Sequence, residues 1–107
     1  MKNQITSEIL KKFKVDFKDL NHLCEHFDVK SLSLFGSALT SHFVRGKSDL
    51  DFMVEFNSIT FDQYFGFLEG LKKLFRYENI DLITIGSLKN PIIKQDIESK
   101  KATLYAA

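Results

Sequence analysis

"LFGSALTSHFVRGKSDLDFMVEF", residues 34–56, holds the change of pattern that decides the architecture. One apolar run ends in Gly36-Ser37; after a polar loop a second run carries Asp49 and Asp51 among Leu50, Phe52, Val54 and Phe56. The alternation over residues 49–56 has the period of a half-buried strand, with Leu50, Phe52, Val54 and Phe56 on one face and Asp49, Asp51, Met53 and Glu55 on the other. Upstream, Leu32, Leu34 and Phe35 lead into Gly36, which predicts a short strand ended by a residue free of side-chain constraint. Between the two strands, residues 37–44 are expected to hold a helical turn and residues 45–48 a loop.

Working outward, the period changes to that of a helix. Leu20, Leu23, Cys24 and Phe27 predict an amphipathic helix over 16–27, preceded by a shorter one over 5–13. Phe61, Tyr64, Phe65, Leu68, Leu71, Leu74 and Phe75 predict a long helix to about residue 76 despite Gly66 and Gly70. Residues 80–85 read as a third strand. Asn90-Pro91 reads as an N-cap and first helical residue opening a helix through about residue 99, and residues 102–105 add a last short strand. Strands alternating with helices place the chain in the α/β (α+β) class, as one domain over residues 1–107 with helices packed on one face of a small mixed sheet.

Composition narrows the function. With 107 residues, 44% of them hydrophobic, and a single proline, the chain is expected to bury a modest core rather than remain disordered. Fifteen basic residues against fourteen acidic ones leave a net charge of +1, too even for the broad basic footprint of a duplex-binding protein, so no extended nucleic-acid surface is expected. Cys24 is the sole cysteine and reads as a buried apolar group in a reducing compartment. No apolar run reaches bilayer length, and the lysine-dotted first residues lack the core of a signal peptide, so the expectation is a cytoplasmic protein without a membrane partner.

Asp49 and Asp51, two strand steps apart, have Cα atoms about 6.6 Å from one another. Carboxylates so close repel unless a cation lies between them, and hard cations such as Mg²⁺ combine one or two carboxylates with substrate phosphates and water. Taken alone, Asp-Leu-Asp is more often a solvated strand face. Gly36-Ser37 adds a place where phosphate oxygens can approach backbone N–H groups and a hydroxyl. Asp81 adds a third carboxylate on the next strand, either desolvated within its apolar run or exposed at the strand's start. His22 and His26 have metal-chelating spacing but no further ligand cluster, and the pair reads as structural. No serine-hydrolase order and no P-loop is present. The Phe-rich helix is read as core with some aromatics left over for a partner surface.

Gly36-Ser37, a spacer, then Ser48-Asp49-Leu50-Asp51 and Asp81 in "NIDLIT" resemble the minimal nucleotidyltransferases of the DNA polymerase β-like superfamily. The resemblance covers residues 29–85 well and extends more loosely to the C-terminus. It implies a polymerase β-like palm fold in which Gly36, Ser37 and Ser48 bind nucleotide, and Asp49, Asp51 and Asp81 are catalytic and hold two Mg²⁺ ions. It implies ATP as substrate and a HEPN-type toxin as partner, this chain being the antitoxin that transfers AMP to a toxin tyrosine in a homo- or hetero-oligomer. Two alternatives stay beside it, a non-catalytic binding antitoxin or scaffold and a small-molecule nucleotidyltransferase. The chain also departs from the pattern: many members read Gly-Ser-Arg-x-Arg-Gly where Gly36-Ser37-Ala38-Leu39-Thr40-Ser41 stands here, and the spacer before Asp49 is slightly longer. Arg45 or Lys47 would have to supply the missing charge.

Overall fold

The alternating stretch forms strand β2, Leu50–Phe56, and its apolar face is the floor of the core. The computed structural model of the chain describes residues 4–87 and 89–107. In chain order the elements are helix α1 (Gln4–Lys12), helix α2 (Phe17–His26), strand β1 (Val29–Phe35), a 3₁₀ turn (Gly36–Leu39), β2, helix α3 (Phe61–Phe75), strand β3 (Ile80–Thr84), a second 3₁₀ turn (Ile85–Ser87), helix α4 (Pro91–Lys100) and strand β4 (Ala102–Ala106). The mixed sheet has the order β3-β2-β1-β4. β1 runs antiparallel to both β2 and β4, while β2 and β3 are parallel because α3 carries the chain back over the sheet.

Leu32 and Leu34 of β1, Leu50, Phe52 and Val54 of β2, Leu82 of β3 and Leu104 of β4 meet Leu20, Cys24, Phe67, Leu71 and Phe75 of the helices in one cluster. Each fully buried Phe or Leu in it contributes about 1.5–3 kcal/mol by leaving water. Cys24 is buried here as expected, and burial, then the charge of Glu25, pushes its thiol up to about 12. Among the described residues, no helix is long and apolar enough to cross a membrane. α4 stands apart from the cluster: its buried Ile97 lies outside it, and with Ile93 and Lys100 it faces the Phe35–Thr40 stretch across a cleft.

The helix ends follow side-chain chemistry. Asp16 precedes α2 and accepts the Lys18 N–H, Thr60 accepts the Gln63 N–H ahead of α3, and Asn90 accepts the Ile92 N–H ahead of α4. Gly66 and Gly70 do not break α3, because they are where α2 comes closest. A Cβ on Gly66 would lie 2.6 Å from a ring carbon of Phe27, and one on Gly70 would lie 2.5 Å from a methyl of Leu23. The helix propensity they sacrifice, about 1 kcal/mol each, is offset by that close packing.

Candidate active site

Register brings the carboxylates together. Phe35 of β1 lies opposite Asp51 of β2, and Asp51 lies opposite Asp81 of β3, so these side chains form a row across three strands on one face of the sheet. Asp49 immediately precedes β2 and is exposed, Asp81 is the exposed second residue of β3, and Asp51 between them is half-buried. Burial, joined by the charges of Asp81 and then Asp49, pushes the Asp51 carboxyl up to about 6. The desolvated carboxylate is thus Asp51. Asp81 stays exposed because β3 is an edge strand, where an apolar flanking run does not guarantee burial.

Gly36 touches the same carboxylate. Its φ of +79° lies in the region L side chains avoid, and a Cβ there would sit 2.5 Å from Asp51 Oδ2. The helical turn expected over residues 37–44 is the single 3₁₀ turn Gly36–Leu39, closed by the Thr40 N–H and the Thr40 hydroxyl, which both donate to the Ser37 carbonyl at 2.9 and 2.8 Å. One such turn has little macrodipole, so phosphate contacts here rest on individual N–H groups and the Ser37 hydroxyl.

The loop before Asp49 is held by a residue the sequence reading passed over. Tyr77 is 7% exposed; its hydroxyl donates to the Ser48 carbonyl at 2.5 Å and accepts the Gly46 N–H at 2.9 Å. The Ser48 hydroxyl accepts the Val44 N–H, and Leu50 N–H reaches the Asn79 carbonyl. Arg45 lies over the rings of Phe13 and Tyr77, at 5.6 and 5.8 Å. The one clue in the sequence is a tyrosine just past a helix end that breaks the polar run Arg76–Asn79 is otherwise made of. Tyr77→Phe leaves the Ser48 carbonyl and Gly46 N–H without their partner and is expected to cost about 1–2 kcal/mol. Urea unfolding measures it, and an unchanged midpoint would show that the loop does not depend on this hydroxyl.

One hollow adjoins the row, and a second is lined by none of its carboxylates. On the β1 side a cleft of about 670 Å³ is lined by Phe35, Gly36, Leu39, Ile93, Ile97 and Lys100. On the β3 side a groove of about 530 Å³ lies between α3 and β3. Carboxylates are hard oxygen donors of the kind that suits a divalent cation, and Asp51 is made costly to ionise first by burial and then by the charges of Asp81 and Asp49. Among the described residues no group of three or more His, Cys, Asp and Glu side chains is arranged so that it could hold a metal ion by itself. His22 and His26 line a separate shallow hollow with Asp19 and Lys73.

The profile of the nucleotidyltransferase domain family matches residues 10–103. A Methanocaldococcus jannaschii protein, provisionally named a protein adenylyltransferase, is 40% identical over 98 residues, which is 85% of this chain and 86% of that protein. Among solved structures, a chain of a toxin–antitoxin crystal structure with AMP-PNP is similar with a TM-score of 0.65 at 17% identity, over 87% of this chain and 75% of that one. A chain of the complex between tri-AMPylated Shewanella oneidensis HEPN toxin and MNT antitoxin is similar with a TM-score of 0.57 at 15% identity, over 85% and 70%. At these identities the two structures speak to the fold.

Proposed function

We propose, since this chain belongs to the nucleotidyltransferase domain family, that residues 1–107 form one catalytic domain that transfers AMP from ATP to a hydroxyl, a tyrosine, of a partner protein. The relative named for protein adenylylation supports the transfer, and the toxin–antitoxin complexes of like fold support a HEPN toxin as the partner and an antitoxin role here. The observation that carries the reading is the carboxylate row with Gly36 pressed against its central member.

In this reading Gly36 and Ser37 receive the phosphates, and Ser48 serves the nucleotide by holding the loop that ends at Asp49. A divalent cation held by Asp49, Asp51 and Asp81 would stabilise the charge on the attacking and leaving oxygens. The acceptor oxygen bonds to the α-phosphorus as the bond to the β-phosphate bridge breaks, and pyrophosphate leaves with the electron pair. The hydroxyl proton passes to the Asp81 carboxylate, which is exposed and open to an incoming group.

One observation favours the binding-only alternative: Arg45, a candidate for the charge missing after Gly36-Ser37, is engaged with Phe13 and Tyr77. The two readings separate in one assay, incubation with Mg²⁺-ATP and the protein encoded beside this chain, followed by intact-mass spectrometry. Catalysis is expected to add an adenylyl group to a tyrosine of that protein. A stable complex without an adduct would replace catalysis with binding, and AMP transfer to a small molecule alone would make the chain a small-molecule nucleotidyltransferase.

A further inference from the structure

We infer that Lys100, the last residue of α4, grips the β- and γ-phosphates of the nucleotide at Gly36-Ser37, and that Asp96 holds this side chain until the nucleotide draws it away. The inference rests on the proposed nucleotidyl transfer and adds the residue that supplies the positive charge absent after Gly36-Ser37.

Charge sets the requirement. Asp49, Asp51, Asp81 and a triphosphate together carry more negative charge than two divalent cations offset, and phosphate oxygens so concentrated call for cationic donors. The stretch Ala38-Leu39-Thr40-Ser41 brings none. Arg45 is held over the rings of Phe13 and Tyr77, and neither it nor Lys47 lines the cleft at Gly36. Among the described residues, Lys100 is the one cation that does.

Topology puts Lys100 on the carboxylate face. The crossover β2-α3-β3 moves one way along the sheet, and β3-α4-β4 returns the other way past β2 and β1 to the far edge. Each joins parallel strands, and right-handed crossovers in opposite directions lie on opposite faces. α4 therefore covers the face that α3 leaves open. Burial agrees: Ile97 of α4, and Met53, which shares its face of β2 with Asp51, are buried outside the core cluster. Phe35, opposite Asp51 in register, and Gly36, against the Asp51 carboxylate, line the same cleft as Lys100. Lys100 also lines a neighbouring hollow of about 430 Å³ with Leu39 and Thr40, so it stands beside the end of the turn that Ser37 opens.

The ion pair of Lys100 is easily exchanged. Its Nζ meets Asp96 Oδ1 at 2.9 Å, four residues back on the helix, with the side chains 71% and 61% exposed. A pair so open to water is weak. A polyphosphate offers several charged oxygens where Asp96 offers one carboxylate, and the flexible four-carbon stem lets the ammonium swing to them. Asp96 itself lines the cleft and repels a polyanion there. The two partners of one ion pair thus act on the nucleotide with opposite signs.

Calorimetry with Mg²⁺ and either AMP-PNP or AMP tests this on the wild type, Lys100→Gln, Lys100→Arg and Asp96→Asn. Both side chains are exposed, so the variants are expected to melt close to the wild type. Lys100→Gln should weaken AMP-PNP binding about tenfold or more, the scale of a lost hydrogen bond to a charged group, and leave AMP binding near its wild-type value. Lys100→Arg should bind AMP-PNP nearly as the wild type does. Asp96→Asn should tighten AMP-PNP binding. A merely structural ion pair predicts that losing either partner moves affinity the same way, so parallel shifts in Lys100→Gln and Asp96→Asn overturn the inference. So does an equal loss of AMP and AMP-PNP affinity in Lys100→Gln, which would put the lysine at the base or ribose, and so does unchanged affinity for both. A wild type that binds neither nucleotide would instead overturn the nucleotidyl-transfer reading on which the inference rests.

Discussion

Asp51→Asn is expected to lower AMP transfer by about three orders of magnitude or more, the scale of losing a principal charge-bearing ligand in metal-assisted phosphoryl chemistry. The same change should make the metal-free protein harder to unfold at neutral pH. Asp51 sits half-buried between two other carboxylates, and its carboxyl is pushed up from 3.8 to about 6. A folded-state pKa above the unfolded value means that the folded chain takes up a proton more readily, so this group's contribution to stability is fullest below about pH 4, falls as the pH rises to about 6, and is flat beyond. Asparagine keeps the shape beside Gly36 and removes the charge, so the slope between those values should flatten and the neutral-pH stability should rise. Metal affinity in the wild type should weaken as the pH drops below about 6, because the proton and the cation compete for one carboxylate. Urea unfolding of both proteins on either side of pH 6, without metal, checks the stability half; single-turnover transfer checks the rest. Parallel stability profiles would mean that Asp51 is not the strained carboxylate of the row.

Such a gain in stability would be the signature of a site held against the preference of the fold, and the same contrast between local pattern and tertiary packing decides which parts of this protein a sequence can disclose. The strands were legible because Leu50, Phe52 and Val54 alternate against charged or polar neighbours, and a period of two has one physical reading. α3 was legible because its apolar spacing runs for four turns, and the two glycines inside it weaken the pattern without shifting its period. Their reason was not legible: Gly66 answers to Phe27, and Gly70 to Leu23, in another helix. The same holds for Tyr77, whose hydroxyl serves a loop 29 residues away, and for Arg45, whose charge is committed to two rings brought there by the fold. The candidate carboxylates could be listed from spacing, but which of them carries the desolvation depends on strand order. β3 at the edge leaves Asp81 in water, and β2 between two neighbours draws Asp51 in.

That division of burial gives Asp81→Asn a different expected phenotype from Asp51→Asn. Asp81 is exposed, so the variant should fold and bind its partner as the wild type does, with stability changed by a few tenths of a kcal/mol. Transfer should still fall by about two to four orders of magnitude, the range for losing a positioned proton acceptor, with part of a cation site lost in addition. A second readout does not depend on turnover. Asp81 is the larger of the two charges that raise Asp51, after burial itself, and Asp51 lies opposite it in register. Removing the Asp81 charge should therefore bring the Asp51 titration down toward the ordinary carboxylate range without reaching it, because the burial cost stays. Carboxyl-carbon NMR of the metal-free protein follows that titration directly. An Asp51 midpoint that does not move would place the two side chains out of electrostatic reach, and the row could not then grip one cation between them. A midpoint that moves while transfer is unimpaired would keep the row intact and make Asp81 a bystander to the chemistry, leaving the acceptor's proton to solvent.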